Sequence, residues 1–152
     1  MVDKMTRADA AEALFREGYN CAQSVFAAFS DVCGMDKEAA LRLSSSFGGG
    51  FGRLREVCGA VSGMAMVAGV LHGYSDPNDP DAKAAHYALI REMADRFRAE
   101  TGSIICRELL EKSGNDASAG GTPAPRDEHF HHSRPCAGFV RLAASIAEET
   151  LL

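Results

Sequence analysis

Between Thr6 and Glu17 the apolar residues recur at helical spacing. Ala10, Ala13 and Leu14, with Met5, share one face, and charged residues take the other. Thr6 can cap this segment, Asp9 stands at the capping-box position, and Gly18 ends it. A second segment follows the cap Asn20 and runs to about Cys33, with the stripe Ala22, Val25, Phe26 and Phe29 and a closing Gly34. A third follows Asp36 and runs to about Phe47. The fourth, Val57 to His72, is apolar almost all round, which predicts a buried central helix. The fifth opens on Asp79-Pro80, a cap with proline at the first helical position. It runs to about Thr101 with mixed charges, so it should be peripheral. A sixth starts after Ser103 and runs to about Lys112, and the last starts after Ser133 and runs to about Glu149. The pattern predicts an all-α, single-domain bundle of six to seven helices over 1–152.

Two stretches interrupt the pattern. Phe47-Gly48-Gly49-Gly50-Phe51-Gly52 holds four glycines in six positions, a poor helix but a backbone that can bend tightly and approach a neighbour. Residues 113–132 are rich in Gly, Ala, Pro and Ser, end in histidines and show no apolar period. A loop of that length is usually functional or disordered.

Composition narrows the function classes. The net charge of −5 and the lack of a Lys/Arg run exclude a nucleic-acid surface. The longest apolar stretch is broken by glycines and too short to span a membrane. The N-terminus is charged and amphipathic rather than signal-like, which points to the cytoplasm. Alanine-rich helices suggest a homodimer, with no heptad seam visible. Five cysteines in such a chain are unsuited to a permanent disulfide framework. They read instead as metal ligands, redox thiols or core residues.

Four of the five stand in the first turn of a predicted helix: Cys21 after Asn20, Cys58 after the glycine run, Cys106 after Ser103 and Cys136 after Ser133. A helix N-terminus carries unpaired N–H groups and about half a positive charge, which should lower a thiol pKa there. Cys33, at a helix C-terminus, is set apart. Three uses of four thiolates compete. They can hold a [2Fe–2S] or [4Fe–4S] cluster, undergo dithiol–disulfide chemistry or metal sensing without a fixed cluster, or bind a structural zinc. The cysteines lie at least 30 residues apart, without the close pairs of a zinc knuckle, which lowers zinc. The spacing does not separate cluster from disulfide.

These residues carry a resemblance. Gly18-Tyr19-Asn20-Cys21-Ala22-Gln23, Phe47-Gly48-Gly49-Gly50, Cys58-Gly59-Ala60-Val61-Ser62-Gly63, Cys106-Arg107-Glu108-Leu109 and Cys136 resemble the redox-active family labelled C_GCAxxG_C_C. The family label spells the core GCAxxG, whereas this chain reads Val57-Cys58-Gly59-Ala60. The likeness implies a prokaryotic oxidoreductase or electron-transfer protein with an unidentified redox partner. It also implies an iron–sulfur cluster on Cys21, Cys58, Cys106 and Cys136, because a related domain in multihaem cytochromes is associated with one. The C-x-x-C-H haem attachment motif is absent from this sequence.

The glycine run has neither a GK[ST] ending nor a preceding strand, so it is no phosphate loop. Gly48, Gly49, Gly50 and Gly59 are expected to bring backbone N–H groups to the cysteine sulfurs. Arg53 and Arg55 are placed to balance an anionic group or to make surface ion pairs. His129, His131 and His132 are candidate metal ligands, or otherwise solvated loop residues.

Overall fold

The computed structural model describes residues 5–152, so the first part of the charged N-terminal stretch lies outside the described residues. Eight α-helices follow in order: α1 Arg7–Arg16, α2 Cys21–Ala27, α3 Lys37–Ser44, α4 Gly59–His72, α5 Pro80–Thr101, α6 Cys106–Lys112, α7 Glu128–Ser133 and α8 Cys136–Leu151. Among the described residues there is no strand, only an isolated antiparallel bridge between Val57 and Ile105. The expected all-α bundle is observed, with one helix more than the apolar pattern suggests.

The caps act as their chemistry predicts. Thr6 and Asp9 close a reciprocal capping box on α1, as Asn20 and Gln23 do on α2. Asp36 and Asp79 cap α3 and α5 through the N–H groups of Ala39 and Ala82. Met5 is 64% exposed and precedes α1 rather than joining its apolar face.

Several boundaries differ from the pattern. After Ala27 the regular helix gives way to turns, with i→i+3 bonds at Phe29, Ser30 and Gly34 and an i→i+4 bond at Cys33, so Cys33 lies outside α2. The sixth helix starts at Cys106 rather than after Ser103. Cys58 N–H donates to Ile104 (2.7 Å) and Cys106 N–H to Glu56 (2.6 Å), and this pairing holds residues 104–105 extended. Ser103 still serves the helix start, accepting from Ile105 N–H and donating to Glu108. Near the C-terminus, Pro135 forces Arg134 into an extended conformation, separating α7 from α8, so the last helix starts at Cys136. Asp127 caps α7, which makes the long loop shorter than expected.

The core sits where α2, α4 and α8 meet, flanked by α1 and α5. Phe26, Val25, Met64, Val67, Val140, Ala143, Ala144 and Ile146 are fully or almost fully buried there. The α4 helix is central through Ala68 and surfaces at Val70. The α5 helix is peripheral, burying only Met93 and Phe97. Two glycines set the α2–α4 distance. A Cβ on Gly63 would lie 2.9 Å from both Ala22 O and Val25 Cβ; one on Gly59 would lie 3.1 Å from Ala22 N and Cys21 Cβ. Gly59 and Gly63, the two glycines of the Cys58–Gly63 segment, therefore bring the starts of α2 and α4 together.

Candidate functional site

Cys21 opens α2, Cys106 opens α6, Cys136 opens α8, and Cys58 is the residue capping α4. All four line one cavity of about 390 Å³, within the size range of small-ligand sites, roughly 300–1,000 Å³. Three packing contacts bring them there. The Gly59–Gly63 contact places Cys58 against Cys21. The Val57–Ile105 bridge joins the starts of α4 and α6. Helix α8 packs across α1, α2 and α4, and its first residue meets Cys21. All five cysteines are free, and Cys33 lies outside the cavity lining.

The glycine run forms one wall. Gly48, Gly49, Gly50 and Gly59 all line the cavity, and a Cβ on Gly50 would lie 2.8 Å from Cys106 Cβ. Their observed part is close packing; the N–H groups that pull the Cys58 thiol downward are those of Ala60 and Val61. The segment folds back on itself: Arg53, Arg55 and Glu56 N–H donate to the carbonyls of Gly48, Gly49 and Gly50. Phe51, Arg53 and Arg55 are left with φ of 74°, 64° and 63°. Each such side-chain-bearing residue costs on the order of 1–3 kcal/mol, and strain of this kind collects at functional sites.

The charged lining of the cavity is entirely arginine: Arg53, Arg55, Arg126 and Arg134, with no carboxylate. Arg126 donates to Phe15 O (3.1 Å) and Tyr19 O (2.8 Å), and its guanidinium lies over the rings of Phe15 and Phe130. Arg134 lies 4.7 Å over Phe130. Arg53 donates to Gly120 O (2.7 Å). Arg55 donates to Ser118 O (3.1 Å) and reaches Cys106 Sγ at 3.7 Å. Arg126 and Arg134 are missed by sequence reasoning. The available signal was that they are the only Lys or Arg residues between Ser113 and Pro135.

The thiols do not share the lowered pKa that four helix starts predict. Burial pushes Cys58 up to about 12, outweighing the N–H groups of Ala60 and Val61. Burial also raises Cys106, against the opposing pull of Arg55. Cys21 is raised because its thiol hydrogen-bonds to Cys136 in a buried setting. Only Cys136 is lowered, by that hydrogen bond and then by Arg134, Arg126 and Arg55. Loss of water outweighs the helix terminus at Cys58 and Cys106, and the contact with Cys136 does so at Cys21.

His129, His131 and His132 are not part of this lining. They border a separate surface depression with Arg16 and Glu128, and His131 packs edge-on against Phe15 and Phe130. Among the described residues no three His, Cys, Asp or Glu side chains are gathered around a single metal-ion position. A zinc-stabilised module draws no support from this arrangement. A cluster of several atoms spaces its ligands more widely, and four thiols around one cation-lined cavity suit it chemically. Among the described residues no helix is long and apolar enough to cross a membrane.

No curated protein and no solved structure matches the chain. One family model matches residues 19–150, a span that contains all four cavity cysteines, the glycine run and the Cys58–Gly63 segment. The chain therefore belongs to the family described as "Putative redox-active protein (C_GCAxxG_C_C)".

Proposed function

We propose that this chain carries out thiol–disulfide redox chemistry at Cys21 and Cys136, within the four-cysteine cavity. One arrangement supports the reading: Cys21 and Cys136, at the starts of α2 and α8, line the same cavity near enough for each thiol to shift the other, Cys21 upward and Cys136 downward. The Cys136 thiolate attacks one sulfur of a partner disulfide. That S–S bond breaks, and one partner thiolate leaves and takes the Cys21 proton. Cys21 then attacks the Cys136 sulfur in the mixed disulfide and the second partner thiolate departs. The partner gains two electrons and the chain holds a Cys21–Cys136 disulfide. The five free cysteines suit a reducing compartment such as the cytoplasm.

The test is mild oxidation of the full chain followed by peptide mass spectrometry. The expected product is a Cys21–Cys136 disulfide, abolished by Cys136→Ser and retained in Cys33→Ser. Pairing of other cysteines, or no disulfide at all, would overturn the reading.

A second reading is an iron–sulfur cluster used for electron transfer. It is favoured by the remaining two thiols, Cys58 and Cys106, lining the same cavity, and by a charged lining that is all arginine. Cys21, Cys58, Cys106 and Cys136 would hold the cluster, which supplies one-electron transfer when bound. The arginines would balance the negative charge of four thiolates. Anaerobically isolated protein would then contain iron and acid-labile sulfide and absorb near about 400 nm. Colourless, iron-free protein with four reactive thiols would reject this second reading.

A further inference from the structure

Beyond lending its charge to Cys136, Arg55 has no part in the thiol exchange. It is 3% exposed, and it is held with φ 63° at the cavity wall. Its Nε donates to Ser118 O, and its Nη1 faces Cys106 Sγ. Its Nη2 is buried and has no hydrogen-bond partner among the described residues. A buried, charged donor left without an acceptor costs on the order of 1–3 kcal/mol or more, so a cavity-lining residue that carries such a donor is a candidate to take an acceptor from a ligand.

The surroundings say what kind of acceptor fits. Four guanidinium groups line the cavity, and none takes part in an ion pair among the described residues. Arg53 and Arg126 are tied to backbone carbonyls. The Arg134 side chain rests on Phe130 and makes no hydrogen bond among the described residues. The carboxylate whose charge reaches Arg53 and Arg55 is that of Asp116. It is exposed, accepts from Ser118 N–H and lies outside the lining. One thiolate at Cys136 leaves this cationic wall largely uncompensated. Phe15, Phe130, Phe139, Leu109 and Leu110 supply apolar walls.

We infer that the cavity binds a small anion bearing oxygen acceptors, a carboxylate or an oxyanion of phosphorus or sulfur, on the Arg55 guanidinium, turned so that its unpartnered Nη2 gains an acceptor, with Arg134 as a second cationic contact. The site lies beside Cys106, in the same cavity as Cys21 and Cys136. As the handle by which a redox substrate is held there, the anion rests on the redox reading. Anion binding itself requires no cysteine to be oxidised.

Calorimetric titration of the full chain, kept reduced with dithiothreitol, tests this with sulfate, phosphate and acetate at constant ionic strength set by chloride. At least one of the three should bind saturably at one site. Arg55→Lys, which keeps the charge but loses the fork, should weaken that binding about tenfold, and Arg134→Gln about threefold. Arg96→Gln, on the far α5 surface, should leave it unchanged. Arg134→Gln keeps the test decisive if the Arg55 variant folds poorly. Absence of saturable binding by all three anions would overturn the inference. So would equal competition by chloride, or wild-type affinity in both cavity variants. Anion binding without a Cys21–Cys136 disulfide would remove the redox reading and leave the anion site; a disulfide without anion binding would do the reverse.

Discussion

Cys136 and Cys58 stand at the starts of helices that meet at one cavity, yet their thiols are driven in opposite directions. Cys136 faces the Cys21 thiol and the guanidinium groups of Arg134, Arg126 and Arg55. Cys58 is buried against the α2–α4 contact, where burial dominates the N–H groups that pull its thiol downward. A charge at a helix terminus is worth roughly 0.3–1 kcal/mol when exposed. A single pKa unit corresponds to about 1.4 kcal/mol. Position at a helix start is therefore the weaker influence once water is removed or a guanidinium is near. On the thiol–disulfide proposal the two residues would do different work: Cys136 would attack a disulfide, and Cys58 would stay a protonated, packed thiol unless a metal takes its proton.

The largest expected effect breaks the comparison at its reactive end. Cys136→Ser should eliminate the Cys21 disulfide completely, whereas Cys58→Ser should leave it in place; thiol counts after mild oxidation read both. Next, alkylation followed across pH should label Cys136 first and Cys58 only in strong alkali.

Stability should follow the same split. Cys58 titrates at about 12 in the fold against an ordinary 9.0. Its contribution is whole below pH 9 and is lost as pH rises towards 12, so the thermal midpoint should fall over that window and fall less in Cys58→Ala. Cys136 carries the opposite sign. Its contribution is present above pH 9 and disappears as pH drops through its lowered value.

The packing that sets Cys58 beside Cys21 can be probed on one helix. Gly63→Ala would force a Cβ against Ala22 and Val25 and should destabilise by about 1–3 kcal/mol in denaturant unfolding. Gly69→Ala, six residues on, faces open space and should stabilise by about 0.5–1 kcal/mol. The smallest expected effect is that of Arg134→Gln, which should raise the pH of Cys136 alkylation by a fraction of a unit and leave Cys58 unchanged.

Much of the fold is legible along the chain because its causes are local. Thr6, Asn20, Asp36 and Asp79 cap helices through atoms three residues away, and apolar spacing marks the buried faces. The boundaries that shift do so for non-local reasons or through proline. Residues 104–105 stay extended because Cys58 N–H donates to Ile104 and Val57 bridges Ile105 across the fold, and Pro135 cuts the helix that spacing alone would start after Ser133. The short α7 was masked by a composition that reads as loop, although Asp127 is a good cap.

The sequence by itself determined that four cysteines sit at or beside helix starts, because capping and periodicity act within a few residues. It also separated Cys33 from the other four. Only the tertiary structure decided that Cys21 meets Cys136, that the three histidines lie outside the cavity, and that Arg126 and Arg134 join Arg53 and Arg55 around it. Only it decided which thiol is acidic. Those outcomes depend on burial and on charges brought together from distant parts of the chain, and neither is a property of a residue's neighbours in sequence.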